Sequence, residues 1–205
     1  MLKVQTLPVG ALATNCHLVF RKEELLCIID PGGDAPEIAG ALGVPASAKL
    51  RILLTHAHVD HISGLGGLAE RFPSLEVWCR PEDGDMYYSE ENALLPWLPA
   101  AENLPRLAER APQIPGMEIL ALPGHTPGGA GFYFAEEKTL FAGDTLFAGS
   151  VGRTDLPGGD WDELQKSIRQ TLFALPEDVA VHCGHGAPTT IGKEKHHNPY
   201  VAMEK

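Results

Sequence analysis

The chain has 205 residues, 44% hydrophobic and 21% charged, which suits one globular domain over residues 1–205 and excludes a disordered or fibrous protein. A formal net charge of −11 argues against nucleic acid or an anionic membrane surface as the main partner. No apolar run approaches the ~20 residues of a membrane span, and Met1-Leu2-Lys3-Val4-Gln5 shows no signal-peptide pattern, so a cytoplasmic location is expected.

The first thirty residues read as strands: Leu2 to Leu7, Asn15 to Phe20 and Leu25 to Asp30. Gly10 and the charged turn Arg21-Lys22-Glu23-Glu24 separate them. Asp30-Pro31-Gly32-Gly33 ends the third, and Ala35 to Leu42 reads as a helix. Arg51 to Thr55 is a short strand feeding Thr55-His56-Ala57-His58-Val59-Asp60-His61, the densest run of metal-competent side chains in the chain. Neutral imidazole nitrogen and carboxylate oxygen are ligands for zinc, and imidazole also serves iron. A strand cannot aim all four at one point, because alternate residues face opposite ways; a loop leaving a strand end can. His56 and His58 share a parity and can reach one ion, while Asp60 and His61 can reach a second.

A helix over Gly64 to Phe72 and a strand over Glu76 to Cys79 follow. Residues 81–116 differ in kind, with Pro81, Pro96, Pro99, Pro105, Pro112 and Pro115 limiting helices to short pieces. This segment reads as a helical surface insertion, either a cover or oligomer contact or a solvated connector. Strands resume at Glu118 to Leu122, Gly129 to Phe134 and Thr139 to Ala142. Trp161 to Ala174 has helical periodicity with Asp160 as its cap. Val179 to His182 is the last strand, and Pro188 to His197 a final short helix.

Three more short apolar segments end in glycine beside one metal-competent side chain: Gly124-His125, Gly143-Asp144 and Gly184-His185. In open α/β folds binding residues collect past the carboxyl ends of strands, where glycine permits close backbone approach. Cys16, Cys27, Cys79 and Cys183 lack Cys-x-x-Cys spacing, so they point to neither a disulfide framework nor a thiolate zinc site. Cys183 either lines the site or is a small buried hydrophobe. His17 and His182 sit within strands and read as structural, as does Tyr133. His196 and His197 are poor ligand candidates.

Taken together, these motifs resemble the metallo-β-lactamase superfamily, whose signature is His-x-His-x-Asp-His with a later His, Asp and His. The resemblance spans about residues 4 to 199. Within the superfamily the chain looks most like the short bacterial glyoxalase II (hydroxyacylglutathione hydrolase) group. The residues that point there are Asn15-Cys16, Ile29-Asp30-Pro31-Gly32-Gly33, Gly143-Asp144-Thr145-Leu146-Phe147, Gly152-Arg153-Thr154-Asp155, Gly184-His185-Gly186, Ile191-Gly192-Lys193-Glu194 and Asn198-Pro199.

The resemblance implies an α/β fold, the αββα sandwich of two mixed β-sheets flanked by helices. It implies two divalent ions, with zinc first and iron or manganese as alternatives. His56, His58 and His125 would hold one ion, Asp60, His61 and His185 the other, and Asp144 would bridge them. Asp60 would also handle a proton. The implied reaction is hydrolysis of a small-molecule thioester, S-lactoylglutathione or a related hydroxyacyl thioester, by a metal-bridging hydroxide. Arg153 and Lys193, with Lys195 nearby, would bind an anionic substrate group. Asp30 would either orient a ligand histidine or cap a turn, and Thr55 would support it. Longer glyoxalase II enzymes carry a further C-terminal helical domain that contributes glutathione contacts, so glutathione recognition follows less directly than hydrolysis. Rival readings are a mononuclear iron persulfide dioxygenase, a lactonase or β-lactamase, and a non-enzymatic metal-binding protein. The sequence does not determine the oligomeric state.

Overall fold

The computed structural model describes residues 1–203, which fall into two compact units divided between residues 114 and 115. In the first, β1 (Leu2–Val9), β2 (Thr14–Arg21), β3 (Glu24–Ile29), β4 (Arg51–Leu53) and β5 (Glu76–Trp78) form one sheet in that order. β1 to β3 are an antiparallel meander, while β3, β4 and β5 run parallel. Parallel neighbours need crossovers. α1 (Ala35–Leu42) makes the first, and α2 (Val59–Ile62) with α3 (Leu65–Arg71) makes the second. α1 starts with Pro36 in its first turn, stops at the left-handed Gly43, and buries Ile38, Ala39 and Leu42. These join Leu18, Ile28, Ile52, Leu68 and Phe72 in one core.

Two strands end earlier than the sequence suggests, for a shared reason. β3 stops at Ile29 because Asp30 takes a left-handed backbone, φ 52°. β4 stops at Leu53, and the Thr55 N–H goes to the Asp30 carboxylate instead of a neighbouring strand. The proline-rich segment does hold short helical turns, Pro81–Asp83, α4 (Gly84–Tyr87) and Glu90–Asn92. It is more than a solvated connector, since Tyr87 is fully buried. The buried Asn92 amide donates to Tyr87 O and Ser89 O and accepts from the Ala101 N–H.

In the second unit the sheet order is β12 (Thr189–Thr190), β11 (Ala180–Cys183), β8 (Thr139–Gly143), β7 (Ala130–Phe134), β6 (Met117–Ala121). Only β11 and β8 pair in parallel. The intervening helical stretch begins as α5 (Trp161–Lys166), where the Asp160 carboxylate accepts from the Glu163 N–H as its cap. It then widens to a π-turn over Ser167–Thr171 and tightens to a 3₁₀ turn over Leu172–Ala174. Leu164, Ile168 and Leu172 face the core.

The final helix, α6 (Ile191–His197), starts later than expected. Thr189–Thr190 pairs with β11, and the Thr190 hydroxyl then caps the Lys193 N–H. The hairpin of β9 (Leu146–Phe147) and β10 (Ser150–Val151) is unexpected, because two-residue strands leave no readable alternation. No helix among the described residues is long and apolar enough to cross a membrane.

All four cysteines are buried free thiols. His17 pairs with Thr6 across β1 and β2, its Nδ1 lying 3.0 Å from the hydroxyl. His182 stacks on Phe141 with ring centres 4.9 Å apart, and burial pushes its pKa below the ordinary 6.5. The unfolded chain therefore takes up a proton here at a higher pH than the folded chain. Stability from the neutral ring is full above about pH 6.5 and is lost as the pH falls below it. The urea midpoint of metal-free protein should drop between about pH 7.5 and about 5.5. His182→Phe should make that drop shallower, which urea titrations at both pH values will read.

Candidate functional site

In the first unit the residues after β4 form a buried polar group. His56, His58, Asp60 and His61 are all at most 4% exposed. Burying four such groups costs several kcal/mol apiece unless each is hydrogen-bonded or ligating. The loop is shorter than the sequence suggests, since Asp60 and His61 already lie on α2. The rings converge: His56 lies 4.8 Å from His58 and 4.0 Å from His61, centre to centre. Asp60 Oδ2 accepts from the Thr14 hydroxyl at 3.1 Å and sits 3.6 Å from His61 Nε2.

Asp30 organises this group. Its carboxylate accepts from the Thr55 N–H at 2.7 Å and the Thr55 hydroxyl at 2.6 Å, and lies 2.9 Å from His61 Nδ1. The Thr55 hydroxyl proton is thereby committed, so its oxygen is the acceptor for His56 Nδ1–H at 3.1 Å. One carboxylate thus sets two imidazoles in the tautomer that leaves Nε2 as the lone-pair nitrogen. Of the two sequence readings of Asp30, the structure favours orienting histidines over capping a turn. Gly32 makes room, because a Cβ there would lie 1.7 Å from the Asp60 carbonyl oxygen. Asp83, fully buried in the proline-rich segment, accepts from the Ala57 N–H between the two histidines at 3.2 Å. The sequence hints at this residue only as one of an acidic cluster.

In the second unit, His125, Asp144 and His185 lie after β6, β8 and β11. Asp144 Oδ2 is 3.7 Å from His125 Nε2 and 3.5 Å from His185 Nε2. These separations are long for hydrogen bonds but close to the about 3.3 Å between two ligands on one tetrahedral ion with bonds near 2.05 Å. His125 Nδ1 donates to the Arg153 carbonyl at 2.7 Å, which leaves Nε2 as its lone-pair nitrogen too. Two glycines seat this group. A Cβ on Gly124 would meet Leu164 N at 2.2 Å, and one on Gly152 would meet Asp144 O at 1.8 Å. His56, His58, Asp60, His61, His125, Asp144 and His185 are thus metal-competent donors, and His56 and His125 have the outer nitrogen tied down in the way ligating histidines require, with Asp30 beside that of His61.

The expected substrate-binding cations are placed differently from one another. Arg153 forks onto Asp155, with Nε and Nη2 each 2.7 Å from a carboxylate oxygen. Those hydrogen bonds hold the exposed Asp155 carboxyl at a pKa of about 2. Lys193 is exposed at the start of α6, while Lys195 donates to the Phe173 carbonyl at 3.2 Å. Burial pushes the Cys183 thiol up to about 12, so it stays neutral, as a buried hydrophobe would. His196 lies at the surface beside Glu177.

The metallo-β-lactamase superfamily domain matches residues 9–185, and the chain belongs to this superfamily, with its two mixed sheets and flanking helices. The hydroxyacylglutathione hydrolase GloC of Haemophilus influenzae is 36% identical, covering 98% of each chain. TTHA1623, solved in a di-iron-bound form, is 38% identical with a TM-score of 0.84 over 96% of this chain and all of the other. BLEG-1, described as a B3 metallo-β-lactamase, is 34% identical with a TM-score of 0.83 over 98% and 99%. The chain is therefore a metallo-hydrolase-superfamily protein with a histidine–aspartate metal-binding set.

Asp30→Ala should weaken metal binding by about 10–100-fold, the usual cost of losing a group that orients a ligand histidine. Competition with a coloured chelator measures it.

Proposed function

We propose that the chain is a dinuclear metal hydrolase acting on hydroxyacyl thioesters, with S-lactoylglutathione as the first candidate. The likeness to GloC across nearly the whole of both chains carries this reading, together with the complete histidine–aspartate set. By the family pattern His56, His58 and His125 would hold one ion, Asp60, His61 and His185 the other, and Asp144 would serve both. Five neutral imidazoles and two carboxylates leave net positive charge on two divalent ions. When bound, such ions polarise a carbonyl and lower the pKa of water towards 7.

The chain's own residues do the rest. Asp30, through Thr55, favours the His56 tautomer with its proton on Nδ1, and lies beside Nδ1 of His61. Asp60, whose carboxylate accepts from the Thr14 hydroxyl, would accept a proton. A thiolate leaves without much protonation, which favours thioesters over amides. Arg153, steadied by Asp155, and the exposed Lys193 are the cations offered to an anionic substrate group. Zinc and iron both suit the donors, and the di-iron-bound relative gives iron weight. Four buried thiols suit a reducing, cytoplasmic setting.

The likeness to BLEG-1 favours a second reading, β-lactam hydrolysis. Protein purified without added metal should contain about two ions per chain by elemental analysis and should hydrolyse S-lactoylglutathione at least about a hundredfold faster than a β-lactam. Asp144→Ala should lower kcat/KM by at least about a thousandfold. The opposite substrate preference would select the β-lactamase reading. One iron per chain, with the second site empty after zinc is supplied, would overturn the dinuclear mechanism and direct the assay to oxygen consumption with glutathione persulfide.

A further inference from the structure

The motif Ile191-Gly192-Lys193-Glu194 with Asn198-Pro199 plays no part in the proposed chemistry, yet two of its side chains are buried polar groups. Glu194 and Asn198 are each 1% exposed on a helix that is otherwise half at the surface. The Glu194 carboxylate only accepts: from the Gly149 N–H at 2.9 Å, the Asn198 amide at 2.8 Å and the Thr189 hydroxyl. The Asn198 amide also donates to the Ser150 carbonyl at 3.0 Å. Both ties land on the turn of the β9–β10 hairpin.

That hairpin and the two residues after it adjoin all three candidate ligands of this unit, Asp144, His125 and His185. It joins Asp144 to Gly152, and Gly152 sits so close that a Cβ would lie 1.8 Å from Asp144 O and 3.3 Å from the His125 ring. The next residue, Arg153, offers the carbonyl that receives His125 Nδ1–H. Phe147 of β9 sits beside His185, ring centres 6.3 Å apart. A two-stranded hairpin of two residues each cannot hold its own shape. Leu146, Phe147 and Val151 pack it on the core, and Glu194 of α6 with the following Asn198 supply polar ties at its turn.

We infer that Glu194, with Asn198, is a positioning residue for the site: it clamps the β9–β10 hairpin and through it fixes His125, Asp144 and His185. The inference rests on the reading of those three as metal ligands. The geometry sets its own control. In Glu194→Gln, the amide oxygen still accepts from Gly149 and Asn198, and the NH₂ donates to the Thr189 hydroxyl, whose proton rotates away. Glu194→Ala removes both acceptor oxygens and the three hydrogen bonds they receive, and Asn198→Ala removes the tie to Ser150 while keeping the carboxylate.

The test is run on the full chain, with zinc as the probe. Amide hydrogen exchange over residues 146–153 should speed up by about tenfold or more in Glu194→Ala and Asn198→Ala, with β8 and β11 unchanged. The zinc dissociation constant should rise by about tenfold or more in both, and kcat should fall similarly while KM stays within about threefold. Glu194→Gln should restore all three readings to near wild type. Faster exchange with unchanged zinc affinity and kcat would reduce the clamp to a structural role and overturn the inference, as would unchanged exchange. If Glu194→Ala does not fold, Asn198→Ala carries the same comparison. If His125→Ala leaves wild-type zinc stoichiometry intact, the ligand assignment fails and the positioning role falls with it, whereas intact ligation with unchanged exchange in Glu194→Ala overturns the clamp alone.

Discussion

Desolvation is the constraint on which the site depends. Imidazoles and carboxylates that are only a few per cent exposed are tolerable only when each proton and lone pair has somewhere to go. In the first unit Asp30 meets most of that demand. It takes a backbone N–H, a hydroxyl and the approach of an imidazole nitrogen, and so stands in for the neighbour strand that the chain after β4 no longer has. The early ends of β3 and β4 are thus part of the site's construction. A regular ladder there would consume the donors that now define the tautomers of His56 and His61.

The second unit solves the same problem differently. Here close backbone approach seats the side chains directly, and the Glu194 carboxylate acts at one remove, through the hairpin turn. Gly124 seats against Leu164 and Gly152 against Asp144, and a main-chain carbonyl orients His125. Such contacts tolerate no added atom. The half-set built on side-chain bonds can be weakened by degrees, whereas the half-set built on bare backbone is disrupted by a single methyl group.

Candidate ligand residues are legible in the sequence because metal chemistry demands particular side chains and strand ends are where they can converge. His56, His58, Asp60, His61, His125, Asp144 and His185 each follow an apolar run, and the two sheets follow from the same runs. What holds the ligands is far less legible. Asp83 reaches Ala57 across 26 positions and Glu194 reaches Gly149 across 45, and no local pattern gives either partner. The β9–β10 hairpin is too short for period-two alternation, and Thr189–Thr190 reads as the approach to a helix until β11 is there to pair with it. Local pattern carries the reactive groups; the long-range buried acceptors emerge only once the chain is closed.

The left-handed backbone of Asp30 has an evolutionary consequence. At φ 52° glycine would be the comfortable residue, and an aspartate costs the fold about 1 kcal/mol by comparison. The chain carries that strain at the residue which organises the first half-set. Selection for a sturdier backbone and selection for a well-aimed pair of histidines therefore pull position 30 in opposite directions. A lineage that abandoned metal chemistry would be free to relax here first, so glycine at this position in an otherwise intact relative would be an early mark of lost activity.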